Sequence, residues 1–295
     1  MTTEVPTSPA TTSTVPVPGA VLTYDIRPGA DTNLRPLLLI GSPMGASGFG
    51  TLAGHFQDRT VITYDPRGVE RSIKDDPSSQ STPEQHADDV HAVIEALGVG
   101  PVDLFASSGG AINALALVAA HPEDVHTLVA HEPPLAALVP DHEAALATCR
   151  AVAQTYRQRG FGAGMAHFIT VVSHQGMFTP EFASQPGPDP QMFGMPADDD
   201  GTRTDALLAQ NLLTCTAFQP DIDALRGAST TIIVAVGATS GEALARRAGE
   251  AVAERLGQDP VEFPGDHSGF LGGEYGQMGK PDDFAAKLRE VLNAA

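Results

Sequence analysis

The chain has 295 residues, of which 42% are hydrophobic and 18% charged, enough apolar material for one large α/β domain with an insertion and too much for a disordered chain. Its 17 Lys and Arg stand against 36 Asp and Glu, a net charge of −19 that repels nucleic-acid phosphates and anionic lipid, so neither is an expected partner. Two cysteines, Cys149 and Cys215, exclude a disulfide framework and a thiolate metal cluster, and the longest apolar run, 111–120, is interrupted by Asn113 and is about half a bilayer span.

Residues 1–17 are rich in Thr, Pro and Ser, with neither the basic stretch nor the apolar stretch of a secretory signal. The composition predicts a disordered leader over 1–18 and, with so few cysteines, a cytoplasmic protein. Beyond it, short apolar runs alternate with helical patterns. Leu37 to Ile40 ends in the Gly/Pro loop Gly41-Ser42-Pro43-Met44-Gly45, and Thr60 to Tyr64 ends in Asp65-Pro66-Arg67-Gly68. Ala87, Val90, Val93, Ile94 and Leu97 share one helix face between 84 and 97. The run 102–105 follows, then Ser107-Ser108-Gly109-Gly110, a helix over 111–121 and a strand over 125–130. After a long gap come a strand over 230–236, a helix over 242–256, a short strand over 261–263 and a last helix over about 282–292. Buried strands alternating with helices predict a mostly parallel, doubly wound α/β sheet.

The gap between Leu135 and Pro220 breaks that alternation. It starts helical, carries Gly160, Gly162 and Gly164, then a Pro/Gly-rich stretch at 185–190, and concentrates Met165, Phe168, Met177, Phe178, Phe182, Met192, Phe193 and Met195. An insertion there covers the carboxyl ends of the strands, where open sheets bind ligands. The expected organisation is a core of 19–137 and 218–295 with a helical cap, 138–217, whose Met and Phe residues form either the cap's own core or the wall of an apolar chamber.

The most informative segment is Asp103-Leu104-Phe105-Ala106-Ser107-Ser108-Gly109-Gly110. A Ser between small residues, after a buried strand and opening a helix, describes a nucleophile elbow, in which the residues two before and two after the nucleophile nearly touch. Ser108 has Ala106 and Gly110 as those flanks; Ser107 would have Phe105, which does not fit. The N–H of Gly109, at a helix amino terminus, is a candidate oxyanion donor. Phosphate-cradle spacings of the Walker or dinucleotide type are absent from both Gly-rich turns.

In this order the segments resemble the α/β-hydrolase superfamily, from about residue 20 to the end. Ile40-Gly41-Ser42-Pro43 looks like the family's His-Gly-x-Pro oxyanion loop with Ile40 replacing His, which implies the Ser42 N–H as the second oxyanion donor. Asp65-Pro66-Arg67-Gly68-Val69-Glu70-Arg71-Ser72 is similar to the family's D-x-R-G-x-G-x-S segment, with Glu70 where Gly is usual. Phe263-Pro264-Gly265-Asp266-His267-Ser268-Gly269-Phe270 looks like the loop carrying the family's catalytic His. The acid's usual place, after the strand 230–236, holds Thr239 in Gly237-Ala238-Thr239. A known family alternative lies after the preceding strand, where His131-Glu132-Pro133-Pro134 supplies Glu132; Glu242, or a Ser–His dyad with no acid, are the other options.

His86 with His91 and His126 with His131 lack metal-ligand spacing, so no metal site is expected, and no cofactor. The resemblance implies Ser108 as nucleophile, His267 as general base and Glu132 as its acid, acting on a small, apolar ester, lactone or related acyl compound. A non-hydrolytic or C–C-bond-cleaving enzyme of secondary metabolism and a non-catalytic ligand receptor are the alternative functions on the same fold.

Overall fold

The computed structural model describes residues 10–295. Nine strands form one sheet: β1 (Thr11–Val17), β2 (Ala20–Arg27), β3 (Leu37–Ile40), β4 (Val61–Asp65), β5 (Ile73–Lys74), β6 (Val102–Ser107), β7 (Val125–His131), β8 (Thr231–Gly237) and β9 (Val261–Phe263). Their order is β1-β2-β4-β3-β6-β7-β8-β9, with β5 paired to β2. From β4 to β9 every pairing is parallel, and β1, β2 and β5 add antiparallel partners at one edge.

Side chains alternate across each strand, so one apolar run feeds two cores. Leu37 and Leu39 of β3, Phe105 of β6 and Val129 of β7 belong to the cluster that α9 (Pro281–Ala294) covers with Phe284 and Leu288, joined by Leu52 of α1 (Gly50–Gly54). Leu38, Ile40, Leu104, Ala106, Leu128 and Ala130 belong to the opposite cluster, with Val90 and Ile94 of α2 (Pro83–Leu97) and Ile112 and Leu115 of α3 (Gly109–Ala120). Thr82 starts α2 with a capping box to Gln85, Pro83 occupies its first turn, and Gly98 ends it in a left-handed conformation.

The leader expected over 1–18 is corrected in its described part. Residues 1–9 lie outside the described residues, but Thr11–Val17 forms β1 and pairs along its length with β2, from Thr11 opposite Ile26 to Val17 opposite Ala20. Thr and Val are strand formers, and Pro16 is tolerated because β1 is an edge strand that needs only one set of partners. Composition alone read the Thr and Pro content as disorder.

Between β7 and β8 lie α4 (His142–Val172), α5 (Pro180–Ala183) and α6 (Leu212–Thr216), within the span expected as a cap; α7 (Ile222–Gly227) and α8 (Leu244–Leu256) flank β8. The long α4 is broken at Gly160, at φ 80° and ψ −173°, where a Cβ would collide with the Asp199 carboxylate. No helix among the described residues is long and apolar enough to cross a membrane.

Ion pairs, one of them fully buried, tie the loop after β4 to its surroundings. Asp65 accepts hydrogen bonds from the Ala46 N–H (2.8 Å) and from Arg71 Nε (2.7 Å), and Arg71 reaches on to Asp25 of β2. Arg67 makes a two-pronged pair with Asp89 of α2 at 2.7 and 2.5 Å, both side chains fully or almost fully buried. The segment 65–72 thus locks the loop after β3 against the sheet. Asp89→Ala leaves the Arg67 guanidinium buried without its counter-ion and is expected to cost about 3–5 kcal/mol of folding stability, read as a lower urea midpoint at pH 7.

Candidate active site

Ser108 stands where β6 hands over to α3, at φ 59° and ψ −128°. Its N–H donates to the His131 carbonyl at 3.0 Å, and its carbonyl accepts the Ala111 N–H at 3.0 Å, which fixes the turn from both sides. A Cβ on Gly109 would lie 2.5 Å from the Ser42 carbonyl oxygen, and one on Gly110 would lie 2.8 Å from the Gly41 Cα. The helix start therefore seats directly on the loop after β3, and only glycine permits that approach. Ser42 and Gly109 come together beside Ser108. Among the described residues neither backbone N–H donates to a protein acceptor.

His267 lies in the loop after β9, on a side chain 42% exposed, and its Nδ1 is 2.7 Å from Glu132 Oε2. Glu132 follows β7 and is fully buried. Its second oxygen, Oε1, accepts the Gly237 N–H at 2.8 Å, and its own N–H donates to the Ala235 carbonyl at 2.9 Å, so β8 holds both ends of the residue. Burial pushes the Glu132 carboxyl up, but the hydrogen bond to His267 leads the opposing effects, which hold it down at about 2. A carboxylate so placed fixes the imidazole's orientation and, among the described residues, Nε2 has no protein partner. Ser108 and His267 line that cavity together, and no hydrogen bond joins their side chains in this structure.

Among the described residues, none of the other candidates for the acid's place hydrogen-bonds to the His267 ring. Glu242 is exposed, with its backbone N–H on Gln175 Oε1. Thr239 lines the cavity, its N–H bonded to the Gly265 carbonyl. Asp266 is exposed and accepts the N–H of Ser268.

The cavity has a volume of about 1140 Å³. Ser108, Ser42, Gly109, Glu132 and His267 line it, together with apolar side chains that include Val152, Phe161, Met165, Phe168, Leu207 and Leu212. Of the Met and Phe residues picked out in the insertion, Met165, Phe168 and Met195 line the cavity, Phe178 is buried in the core and Met177 and Met192 are exposed. Cys149 and Cys215 border the cavity too, but burial pushes their thiols up to about 11 and about 12, which keeps them protonated and unreactive near neutral pH.

Backbone strain concentrates here. Among the described residues, the non-glycine positions with positive φ are Glu70 (46°), Ser108 (59°), Glu132 (48°) and Tyr275 (55°), and all four line this cavity. Such conformations cost on the order of 1–3 kcal/mol each and persist only where surrounding structure imposes them. Glu70 and Tyr275 were not singled out from the sequence as site residues. They meet through Ser47, whose Oγ donates to Glu70 Oε1 at 2.6 Å and lies 3.1 Å from the Tyr275 hydroxyl. The available signal was a Glu standing where glycine is usual, at a position whose φ suits glycine.

His131, beneath the site, is fully buried, with Ser107 Oγ 3.2 Å from Nδ1 and its ring among Phe105, Phe263, Phe270 and Phe284. Desolvation pushes it down to about 4, and buried His86 of α2 likewise. Both groups are neutral in the fold and regain a value near 6.5 on unfolding, so between pH 6.5 and 4 the unfolded chain binds more protons and stability falls as pH falls. His167 shifts down as well, chiefly by burial; His91, whose burial is outweighed by its bond to Asp124, shifts up and acts oppositely. Glu132 continues the acid loss below its unfolded value near 4.5, down to about 2. Urea unfolding at pH 7, 6 and 5 is expected to show stability decreasing as pH falls, by at most about 3 kcal/mol per pH unit, with His131→Gln flattening the slope by up to about half. A slope unchanged by His131→Gln would contradict the buried neutral imidazole.

Sheet order, the turn at Ser108 and the loops converging on it define a fold class, an open α/β sheet with its site at the carboxyl ends of the parallel strands. The alpha/beta hydrolase fold family matches residues 37–193, more than half of the chain, and the protein belongs to that family. It is 29% identical over 264 residues to an uncharacterized hydrolase, YraK, of Bacillus subtilis (strain 168), a match covering 87% of this chain and 89% of that one. Among solved structures it is similar to a thermophilic esterase from Thermogutta terrifontis, at 22% identity and a TM-score of 0.66 over 97% of this chain and 99% of that one. It is likewise similar to the enol-lactonase from Burkholderia xenovorans LB400, at 20% identity and a TM-score of 0.66 over 95% of this chain and 100% of that one.

Proposed function

We propose that the protein is a serine hydrolase of carboxylic esters, lactones or related acyl compounds, working through an acyl-enzyme on Ser108. What carries this reading is the convergence, on one largely apolar cavity, of a serine in a strained strand-to-helix turn and an imidazole held by a buried carboxylate. In the proposed reaction Ser108 Oγ attacks the acyl carbon and His267 Nε2 takes its proton. Glu132 holds the imidazole in the required tautomer and stabilises the imidazolium. The oxyanion rests on the Ser42 and Gly109 N–H groups, which need no reorganisation because, among the described residues, no protein acceptor occupies them. Collapse of the tetrahedral intermediate expels the alcohol, which takes the proton from His267. Water then enters, activated by the same His267, and releases the acid.

The helices of 138–217 serve as the cap on this reading, and their side chains select the acyl or alcohol group. A cavity of about 1140 Å³ walled by Phe161, Met165, Phe168 and Leu212 suits a substrate much larger than acetate. Glu70 and Asp266 at the cavity and a net charge of −19 disfavour an anionic one.

A fluorophosphonate probe followed by whole-protein mass spectrometry is expected to give one adduct on the wild type, mapped to Ser108 and absent from Ser108→Ala. His267→Ala is expected to abolish labelling, and Glu132→Gln to lower kcat by about 10²–10⁴. Full rate in Glu132→Gln would sink the acid assignment. An unlabelled but folded wild type would sink the serine mechanism and move the search to a non-hydrolytic reaction or a bound ligand. With p-nitrophenyl esters, kcat/KM is expected to rise from acetate to hexanoate by about tenfold or more, because each buried methylene is worth about 0.8 kcal/mol. A preference for acetate would contradict the chamber's role.

A further inference from the structure

The fold brings together a second group of chemistry-bearing side chains that the active site does not use. His91 lies in the middle of α2, His121 is the residue that ends α3, and Asp124 sits in the turn that enters β7. Each offers one donor atom, and these atoms all lie within 4.8 Å of one another. The His91 and His121 rings stack face to face, centroids 3.9 Å apart and planes 10° from parallel. His91 Nδ1 is 2.7 Å from Asp124 Oδ2.

The backbone under these side chains is fixed. The His121 N–H bonds to the Leu117 carbonyl, the Asp124 N–H bonds to the His121 carbonyl at 3.1 Å, and the Asp124 carbonyl accepts the Val102 N–H of β6 at 2.9 Å. Asp124 is buried, and both histidines are partly so. Carboxylates ring the pair: Glu95 is 3.5 Å from His91 Nε2, Glu123 is 3.7 Å from His121 Nδ1 and Asp88 is 4.0 Å from His121 Nε2. Two stacked imidazoles among four carboxylates favour added positive charge. Two protons would place like charges face to face at 3.9 Å; one divalent cation supplies the same charge to both rings while attracting each of them.

We propose that His91, His121 and Asp124 form a binding site for a divalent transition metal of the zinc class. Two imidazoles and a carboxylate are a donor set suited to Zn²⁺, and an acidic neighbour or water completes four-coordination. Ligand atoms about 2.0–2.2 Å from zinc are about 3.4 Å apart, and the ion lies in the plane of each imidazole, so binding requires the partly exposed His121 ring to turn out of its stack on His91. The metal takes the place of the proton between His91 Nδ1 and Asp124 Oδ2; that proton passes to His91 Nε2, so the ligand is a neutral imidazole, and protons compete with the metal for the ligand atoms as pH falls. The site lies at the opposite end of α3 from Ser108, about 18 Å away along a helix of twelve residues rising about 1.5 Å each. Its role is therefore structural, clamping α2 to the junction of α3 and β7, and independent of the acyl chemistry.

The test uses untagged, chelator-treated full-length protein titrated with Zn²⁺ at pH 7.5 by calorimetry, with bound metal counted by elemental analysis after dialysis. Wild type and His267→Ala are both expected to bind one equivalent with a micromolar or tighter Kd. His121→Gln and His91→Gln, checked for native circular dichroism, are expected to weaken binding at least tenfold. Zn²⁺ is expected to raise the Tm of the wild type and to leave that of His121→Gln unmoved, while fluorophosphonate labelling stays equal in both. Absence of a stoichiometric site in the wild type overturns the proposal, as does less than tenfold weakening in His121→Gln. Loss of the site in His267→Ala also overturns it, by placing the metal at the active site.

Discussion

The geometry of the site depends on how closely the start of α3 can approach the end of β3. Gly109 and Gly110 sit against the backbone of Gly41 and Ser42 at distances that leave no room for a Cβ. That contact sets Ser108 in its strained turn and brings two unengaged N–H groups to one point. Everything around it acts to hold the two backbones together. Asp65 pins Ala46, at the far end of the same loop, while Arg71 and Arg67 tie that support to β2 and α2. The small residues on either side of Ser108 are thus a packing requirement first, and a chemical device only because of where the packing puts the serine.

The same division of labour governs the histidine. Glu132 is buried and strained at φ 48°, and β8 occupies its backbone N–H and one carboxylate oxygen. Only the second oxygen is left, and His267 takes it. A buried charge is tolerable when every lone-pair direction that matters is met, and here the burial that would neutralise the carboxyl is outweighed by its partners. Strain at Ser108, Glu132, Glu70 and Tyr275, all on one cavity, is energy that the two apolar cores of the sheet must offset.

Much of the central sheet was legible because parallel strands buried on both faces read as continuous apolar runs, as Leu37 to Ile40 and Val102 to Phe105 do. The edge was not: β1 is half exposed and built from Thr, Ser and Pro, so its identity rests on pairing with β2, a contact outside the segment's own composition. Within the site, Ser108, His267, Glu132, Ser42 and Gly109 were singled out from local motifs, and the structure brings them to one cavity. Glu70 and Tyr275 escaped notice because their meeting through Ser47 joins loops more than two hundred residues apart.

Sequence by itself determined what is written in local spacing: the alternation of strands and helices and the small-residue turn that admits Ser108 but not Ser107; for the acid, the family resemblance offered Glu132 beside Glu242 or none. Tertiary structure alone decided what depends on distance. His86 and His91 share a helix yet part company, one neutral in the core and the other at the surface; His91 instead meets His121 and Asp124, residues thirty and thirty-three positions away. The physical reason is that helical and strand periods fix which way a side chain points, whereas the neighbour it finds there is set by how whole elements pack.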